Sequence, residues 1–161
     1  MKRIINFLLI LLAVISCNRG PRIAKYYDEK TGEYIIDTLP YNDLRDYPKL
    51  QKTKNIDSLI HEIKKEDYVF EKSVGIAGSY PEQYARFERL IQLSSSKELF
   101  NLTKNESPIV RVYAYKGLKI MKSKYSKMAE EVLKKDTTKF SRGAGCLINR
   151  YSVAEYINSL R

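Results

Sequence analysis

The sequence is poor in the side chains that most metal sites and nucleophilic enzymes use. Among its 161 residues there are one histidine, two cysteines and no tryptophan. A Cys-His or Ser-His pair would have to use His61, and no HExxH or paired-cysteine spacing accompanies it. Two cysteines cannot form a metal site without help from histidine or carboxylates. We therefore expect a solvent-exposed His61, no metal site and no cofactor.

Other active-site signals are equally sparse. Glu130 and Glu131 lie among lysines, and no acidic pair has the spacing typical of glycan hydrolysis. Glycines occur in SVGIAGS (73–79) and SRGAGC (141–146), but neither segment follows the strand of a recognisable βαβ unit, so turns are favoured over nucleotide-binding loops. The sequence predicts a protein that is not an enzyme, with an envelope hydrolase as the less favoured alternative.

Acidic side chains are the scarcer charge. The chain has 19 Asp and Glu against 29 Lys and Arg, which gives a formal net charge of +10. Its length and its 43% apolar content are typical of one domain with a modest core. Basic domains of this kind usually bind nucleic acid, acidic lipid headgroups or acidic proteins. The compartment decides among these partners.

The N-terminus indicates that compartment. Residues 1–3 are MKR, residues 4–15 are apolar apart from one asparagine, and Ser16 is a small residue directly before Cys17. This order is typical of a secretory signal, and the apolar stretch is shorter than the about 20 residues that a membrane-spanning helix needs. We interpret residues 1–16 as a signal peptide that is removed from the mature chain.

The residues VISC (14–17) resemble the lipobox of bacterial lipoproteins, in which an aliphatic residue, a tolerant position and a small residue precede an invariant cysteine. The resemblance implies diacylation of the Cys17 thiol, cleavage before Cys17 and acylation of its new amino group. Val14 departs mildly from the commoner leucine. Cys146 then lacks an intramolecular partner, and we interpret it as a small buried residue, with a Cys17–Cys146 disulfide as the alternative.

Lipidation places the protein in the cell envelope. Cleavage removes two of the basic residues, so the net charge of the mature chain falls to +8, and export separates the chain from nucleic acid. The segment after Cys17 is basic and lacks the acidic cluster that directs some lipoproteins to the cell surface. We expect an anchor in the outer membrane, with the protein facing the periplasm and binding an envelope protein.

The mature chain divides into a tether and a helical domain. Two runs rich in Tyr and Ile flank the turn residues 28–32 and predict a small β-hairpin. Residues 37–54 contain two prolines and little periodicity, which is typical of an extended connector. We therefore assign residues 17–54 to a lipidated tether with a hairpin and residues 55–161 to a helical domain.

Helix-start signals recur along this domain. Asn55 is a candidate N-cap, and Ser79, Ser95 and Ser152 are each followed three residues later by glutamate, as in a capping box. Ser107 precedes a proline suited to the first helical position. The clearest apolar stripe consists of Val110, Tyr113, Ala114, Gly117, Leu118 and Met121. In the next helix, near 126–135, the residues predicted to face inward are Met128, Ala129, Val132 and Leu133.

Residues 95–121 resemble a HEAT-type repeat: a first helix, a tight turn with Pro108, and a second helix carrying Val110-Arg111 and Ala114. The resemblance implies a solenoid of helix pairs that presents a surface to a partner. A compact helical bundle stays open as the alternative, because a solenoid needs about three units to bury a continuous core. The predicted fold class is all-α, with antiparallel helix pairs preceded by the small β-hairpin.

The stretch 111–127 is the best candidate interaction surface. Arg111, Tyr115, Lys119 and Lys122 fall mostly outside the apolar stripe and would form a basic surface with an exposed tyrosine, although an ordinary solvated helix face is the alternative. The favoured function is a membrane-anchored, non-enzymatic scaffold or accessory subunit. The alternative is an inhibitor or immunity-type lipoprotein that blocks an exported enzyme.

Overall fold

The chain divides into two compact units, Met1–Tyr41 and Asn42–Arg161. The computed structural model describes residues 22–28, 33–39, 47–76 and 78–160. In the first unit, strands β1 (Arg22–Asp28) and β2 (Glu33–Leu39) pair antiparallel, which confirms the predicted hairpin. The signal peptide and Cys17 lie outside the described residues.

The described part of the second unit contains seven helices and three strands. In chain order they are α1 (Pro48–Lys52), α2 (Ile56–Lys64), β3 (Tyr68–Val74), α3 (Glu82–Leu93), α4 (Ser96–Leu102), α5 (Pro108–Ile120), α6 (Tyr125–Leu133), β4 (Lys139–Gly145), β5 (Leu147–Ser152) and α7 (Val153–Ser159). Across residues 22–28, 33–39, 47–76 and 78–160, every helix is too short or too polar to cross a membrane.

The prediction of an all-α domain is wrong, because β3, β4 and β5 form a mixed sheet and the unit is an α/β fold. Strand β3 runs parallel to β4, and β4 runs antiparallel to β5. The helix pair within 95–121 is present as α4 and α5. The segment after α6 is a β-hairpin where the repeat pattern requires another helix pair, so the fold is neither the predicted short solenoid nor an all-helical bundle.

Local capping chemistry explains where several helices begin. The Asn55 side chain accepts a hydrogen bond from the Ser58 amide at 3.1 Å, and complete capping boxes form at Ser95 and at Ser152. These three starts confirm the sequence prediction. The Ser79 box is wrong: α3 begins at Glu82, and Ser79 instead makes an isolated bridge with Val74.

Helix α5 lies at the centre of the core. Its buried residues are Ile109, Val110, Val112, Tyr113, Ala114, Tyr115, Gly117 and Leu118. A helix that is apolar nearly all round is buried on all sides. A side chain at Gly117 would place Cβ 3.0 Å from Leu99 and 3.2 Å from Ile91, so glycine lets α3 and α4 pack closely on α5.

The inward stripe predicted for α6 is half wrong. Ala129 and Leu133 are buried, but Met128 and Val132 are 55% and 58% exposed. Helix α6 packs on α4, α5 and α7, and a helix at the edge of a small core buries only a narrow stripe.

The sheet has one face on the core and one outer face. Val69 and Phe140 point inward and are buried. Because side chains alternate along a strand, the neighbouring residues Tyr68 and Phe70 point to the outer face. The Tyr113 hydroxyl donates to the Phe70 carbonyl and accepts from its amide, at 3.3 and 2.9 Å, so a core tyrosine covers the open edge of β3.

Candidate functional site

Two of the four residues predicted to form the interaction surface, Arg111 and Tyr115, make contacts within the fold instead. Arg111 Nε donates to Asp136 at 2.8 Å, and Arg111 Nη1 donates to the carbonyls of residues 105 and 106. Tyr115 is fully buried and its hydroxyl donates to Glu130, so the expectation of an exposed tyrosine is wrong. Lys119 and Lys122 are exposed as expected. The four residues therefore do not form one accessible surface.

Two other expectations concern single side chains. His61 is exposed on α2, as predicted. Cys146 was expected to be buried, but it is exposed, because the chain turns between β4 and β5 at Gly145 and presents the next residue to solvent. Gly145 has φ +53°, a conformation that glycine adopts without strain.

The outer sheet face carries two rows of residues across its strands. Tyr68, Ser141 and Arg150 are register partners in one row, and Phe70, Gly143 and Ile148 in the next. The rings of Tyr68 and Phe70 stack with centroids 5.5 Å apart and planes 6° apart. These aromatic side chains are only half-buried, so the face keeps an aromatic surface accessible.

Gly143 makes this aromatic stack possible. A Cβ at position 143 would lie 2.5 Å from two ring carbons of Phe70, which is far inside van der Waals contact. The Phe70 ring therefore lies flat over the backbone of β4. This close approach explains why a glycine occurs in the middle of a strand, where it otherwise weakens the sheet.

A cleft of about 520 Å³ opens at the end of the sheet where β3 and β4 begin. Its lining comes from four separate chain segments: Lys64, Glu66, Asp67 and Tyr68; Ser107, Pro108 and Ile109; Lys139, Phe140 and Ser141; and Arg150. A volume of this size is in the range of ligand pockets, about 300–1,000 Å³. Its polar lining and its open position suit a side chain or a loop of a partner.

Three basic side chains, Lys64, Lys139 and Arg150, line this cleft. Lys64 pairs with Glu106 at 2.7 Å and Lys139 with Glu155 at 3.3 Å, whereas Arg150 makes no ion pair with any described residue. The 13-residue helix α5 begins at the cleft, and the Ser107 side chain does not cap it. A helix N-terminus carries a partial positive charge. Glu66 and Asp67 also line the cleft, and Glu66 pairs with Arg86 at 3.8 Å, so the lining carries both signs of charge.

A second charged cluster lies on the inner face of the sheet, around Glu71. One carboxylate oxygen accepts from Arg142 Nε at 3.0 Å and from the Tyr156 hydroxyl at 2.9 Å, and the other accepts from Lys116 Nζ. The Lys116 ammonium also lies 5.2 Å from the centre of the Tyr84 ring. Each group has a partner within the fold, which is typical of a structural network.

The cluster shifts several pKa values. Burial alone would raise the pKa of Glu71, but the hydrogen bonds and charge of Lys116, with the bonds from Arg142 and Tyr156, outweigh it and leave the pKa below its usual range. Burial, followed by the charges of Glu88 and Glu71, raises the pKa of Tyr84 to about 12. Burial and the neighbouring Glu71 also raise the pKa of Tyr156. The carboxylate is therefore held ionised and the phenols neutral at neutral pH.

No group of three His, Cys, Asp or Glu residues that could hold a metal ion occurs within the described ranges. The cleft was not predicted from the sequence, because its walls come together only in the folded chain. The available signal was the Tyr68-Val69-Phe70 alternation, which is typical of a strand with aromatic residues on one face.

Comparison with known proteins assigns no family. No protein-family model matches the chain. No curated protein matches it either. The functional interpretation therefore depends on the sequence signals and the geometry of this chain.

Proposed function

We propose that this chain is a lipid-anchored, non-enzymatic binding protein of the bacterial cell envelope. It acts as a scaffold or accessory subunit and holds an acidic envelope protein at the cleft beside the outer sheet face. The observation that carries the proposal is the cleft itself, with the accessible Tyr68 ring at its side and with Arg150, which forms no ion pair among the described residues. Tyrosine and arginine are the residue types that contribute most often to binding energy at interfaces.

The anchor rests on the lipobox resemblance at residues 14–17. Three acyl chains give stable attachment where a single chain is marginal. A Cys17→Ala chain should remain an unprocessed precursor that takes up no labelled palmitate. Palmitate incorporation by that variant would remove the anchor from the proposal without affecting the cleft.

An acidic partner fits the charge of the cleft better than a basic one. Arg150 is exposed and can form a bidentate pair with a carboxylate, and the start of α5 adds partial positive charge to the lining. Tyr68 offers a flat ring for apolar contact beside that pair. The mature chain has excess positive charge, which also favours encounter with an acidic protein.

The test is site-specific photocrosslinking in envelope membranes. A crosslinking amino acid at position 68 should capture one partner, and the same group at position 128, on an exposed part of α6, should not. Arg150→Glu should weaken binding of the purified partner by about tenfold or more, because it replaces an attraction with a repulsion.

The matched control is Lys119→Glu, which makes the same charge change on the helix surface first predicted from the sequence. It should bind the partner as the unaltered chain does. If Lys119→Glu loses the partner and Arg150→Glu keeps it, the cleft is not the binding site. The partner's activity with and without this protein separates an accessory subunit from an inhibitor.

A further inference from the structure

An apolar tip lies at the end of the sheet opposite the cleft. It consists of Ile76, in the loop after β3, and of Leu147 and Ile148, at the start of β5; these side chains are 88%, 66% and 65% exposed. The register partners of Tyr68, at the cleft, and of Val74, at the tip, are Ser141 and Gly145, so the two ends of β3 are roughly 13 Å apart along β4. Ile148 of the tip lies only two residues from Arg150 of the cleft lining.

Hydrogen bonds tie the two loops of the tip together. The Gly75 amide donates to the Gly145 carbonyl at 2.6 Å, and Val74 is the register partner of Gly145. Gly75 and Gly78 adopt φ angles of +73° and +64°, which turn the chain sharply on both sides of Ile76. The exposure of these aliphatic side chains is therefore a product of the backbone geometry of two joined turns.

The charge pattern indicates which kind of surface the tip fits. Segments 72–81 and 143–149 contain no acidic residue, although the chain has 19 of them. Lys72 is exposed at the base of the tip and makes no ion pair with the described residues. Aliphatic side chains flanked by a cation suit the interface of a bilayer that contains anionic lipid.

We propose that the apolar tip docks on an anionic bilayer surface and so fixes the orientation of the second unit. This inference rests on the proposed lipid anchor, which brings the tip to the membrane. Tethering makes the second contact intramolecular, so a tip of three aliphatic residues and one lysine suffices to bind. The aliphatic side chains enter the interface, and Lys72 lies at the level of the lipid phosphates.

Cys146 provides a natural probe for the test, because it is exposed next to Leu147. The proposed anchor would consume the Cys17 thiol, which leaves Cys146 as the thiol that reacts. The lipidated full chain is reconstituted on the outside of vesicles of phosphatidylethanolamine and phosphatidylglycerol. The rate of Cys146 alkylation by a membrane-impermeant maleimide is compared with the rate for a soluble chain that begins at residue 18 and so has neither the signal peptide nor Cys17. Docking should slow the reaction about fivefold or more, because thiol reactivity depends on access.

The tip variant replaces Ile76, Leu147 and Ile148 with serine. Each variant is normalised to its own soluble form that begins at residue 18, and the tip variant should return to the soluble rate. The matched control replaces Ile120, Met128 and Val132, which are 55%, 55% and 58% exposed on α5 and α6, and should stay protected. Lys72→Glu should also reduce protection on anionic vesicles.

The outcomes separate the anchor from the tip. A chain that floats with the vesicles but reacts at the soluble rate overturns the tip inference and leaves the proposed function intact. A chain that does not float overturns both. Equal protection of Cys146 on phosphatidylcholine vesicles overturns the choice of anionic lipid. Protection of Cys146 that needs no vesicles but rises with protein concentration indicates that a second copy of the chain binds the tip, and it overturns the proposal.

Discussion

Glu71 receives donors from three different elements, α5, β4 and α7, and so joins the sheet to the helices. Its folded pKa lies below the ordinary value of 4.5. A carboxyl with a lowered folded pKa stabilises the fold above its unfolded pKa, and this contribution is lost as the pH falls through the folded pKa.

We predict that Glu71→Gln lowers the free energy of unfolding by roughly 1–3 kcal/mol at pH 7, because it leaves Lys116 and Arg142 without their anionic partner. The difference from the unaltered chain should shrink as the pH falls below 4.5. Urea denaturation at a series of pH values measures both effects. Glu106→Gln is the control, since Glu106 is 82% exposed and its pair with Lys64 is open to solvent. A Glu71→Gln difference that is independent of pH would mean that the carboxylate charge is irrelevant.

The contact between Gly143 and Phe70 is a second determinant at the scale of single residues. Gly143→Ala should cost about 1–3 kcal/mol of stability, because the new methyl group meets the Phe70 ring at 2.5 Å and the ring must move. In a Phe70→Ala background the same substitution should cost much less. A double-mutant cycle by urea denaturation measures the coupling. Equal losses in both backgrounds would place the cause in the strand backbone.

At the scale of the elements, serine substitutions at the helix N-termini distinguish a capping box that forms in the fold from one that only the sequence suggests. Ser95→Ala and Ser152→Ala should each lower stability by about 0.5–2 kcal/mol, because each removes a side-chain acceptor from an N-terminal amide. Ser79→Ala should change stability little, since Ser79 lies before α3 and caps nothing. Thermal unfolding of the three variants is the measurement. A loss at Ser79 equal to that at Ser95 would restore the predicted box.

Apart from α1, which lies in the segment predicted to be an extended connector, the helices were predictable because their signals are local. Caps and apolar stripes involve residues three or four positions apart, so the start of α2 at Asn55 and the buried Phe87 and Leu90 of α3 follow from short stretches of sequence. The apolar stripe fails to predict which side chains are buried where other elements surround a helix. Helix α5 is buried on nearly all sides, so Tyr115, outside the apolar stripe, still lies in the core.

The strands were not predictable because their stability is not local. Strand β4 contains two glycines, and β5 exposes its first two aliphatic residues, so neither has the alternation of a half-buried strand. Both depend on β3, whose residue Phe70 pairs with Gly143 far along the chain. The cleft is hidden for the same reason, since its lining combines four segments that only this pairing brings together.

At the scale of the whole molecule, the sheet sets the distance between two proposed contacts. The cleft lies where β3 begins and the apolar tip where it ends. A tip docked on the bilayer would hold the start of β3, where the cleft opens, roughly 13 Å away from the tip, on the side of the aqueous compartment. The anchor would thus set the location of the protein and the tip its orientation.

This arrangement predicts that the two contacts can be lost separately. Arg150→Glu should release the partner and leave Cys146 shielded on anionic vesicles, whereas the serine variant of the tip should expose Cys146 and keep partner affinity in solution. Because Arg150 and Ile148 are only two residues apart on β5, the two sets of substitutions are close enough to couple, and the combined variant measures that coupling. Both readouts are taken on the same lipidated preparations. Loss of shielding in Arg150→Glu would mean that partner and bilayer share one surface of the sheet, because Arg150 and Ile148 lie on the same face of β5.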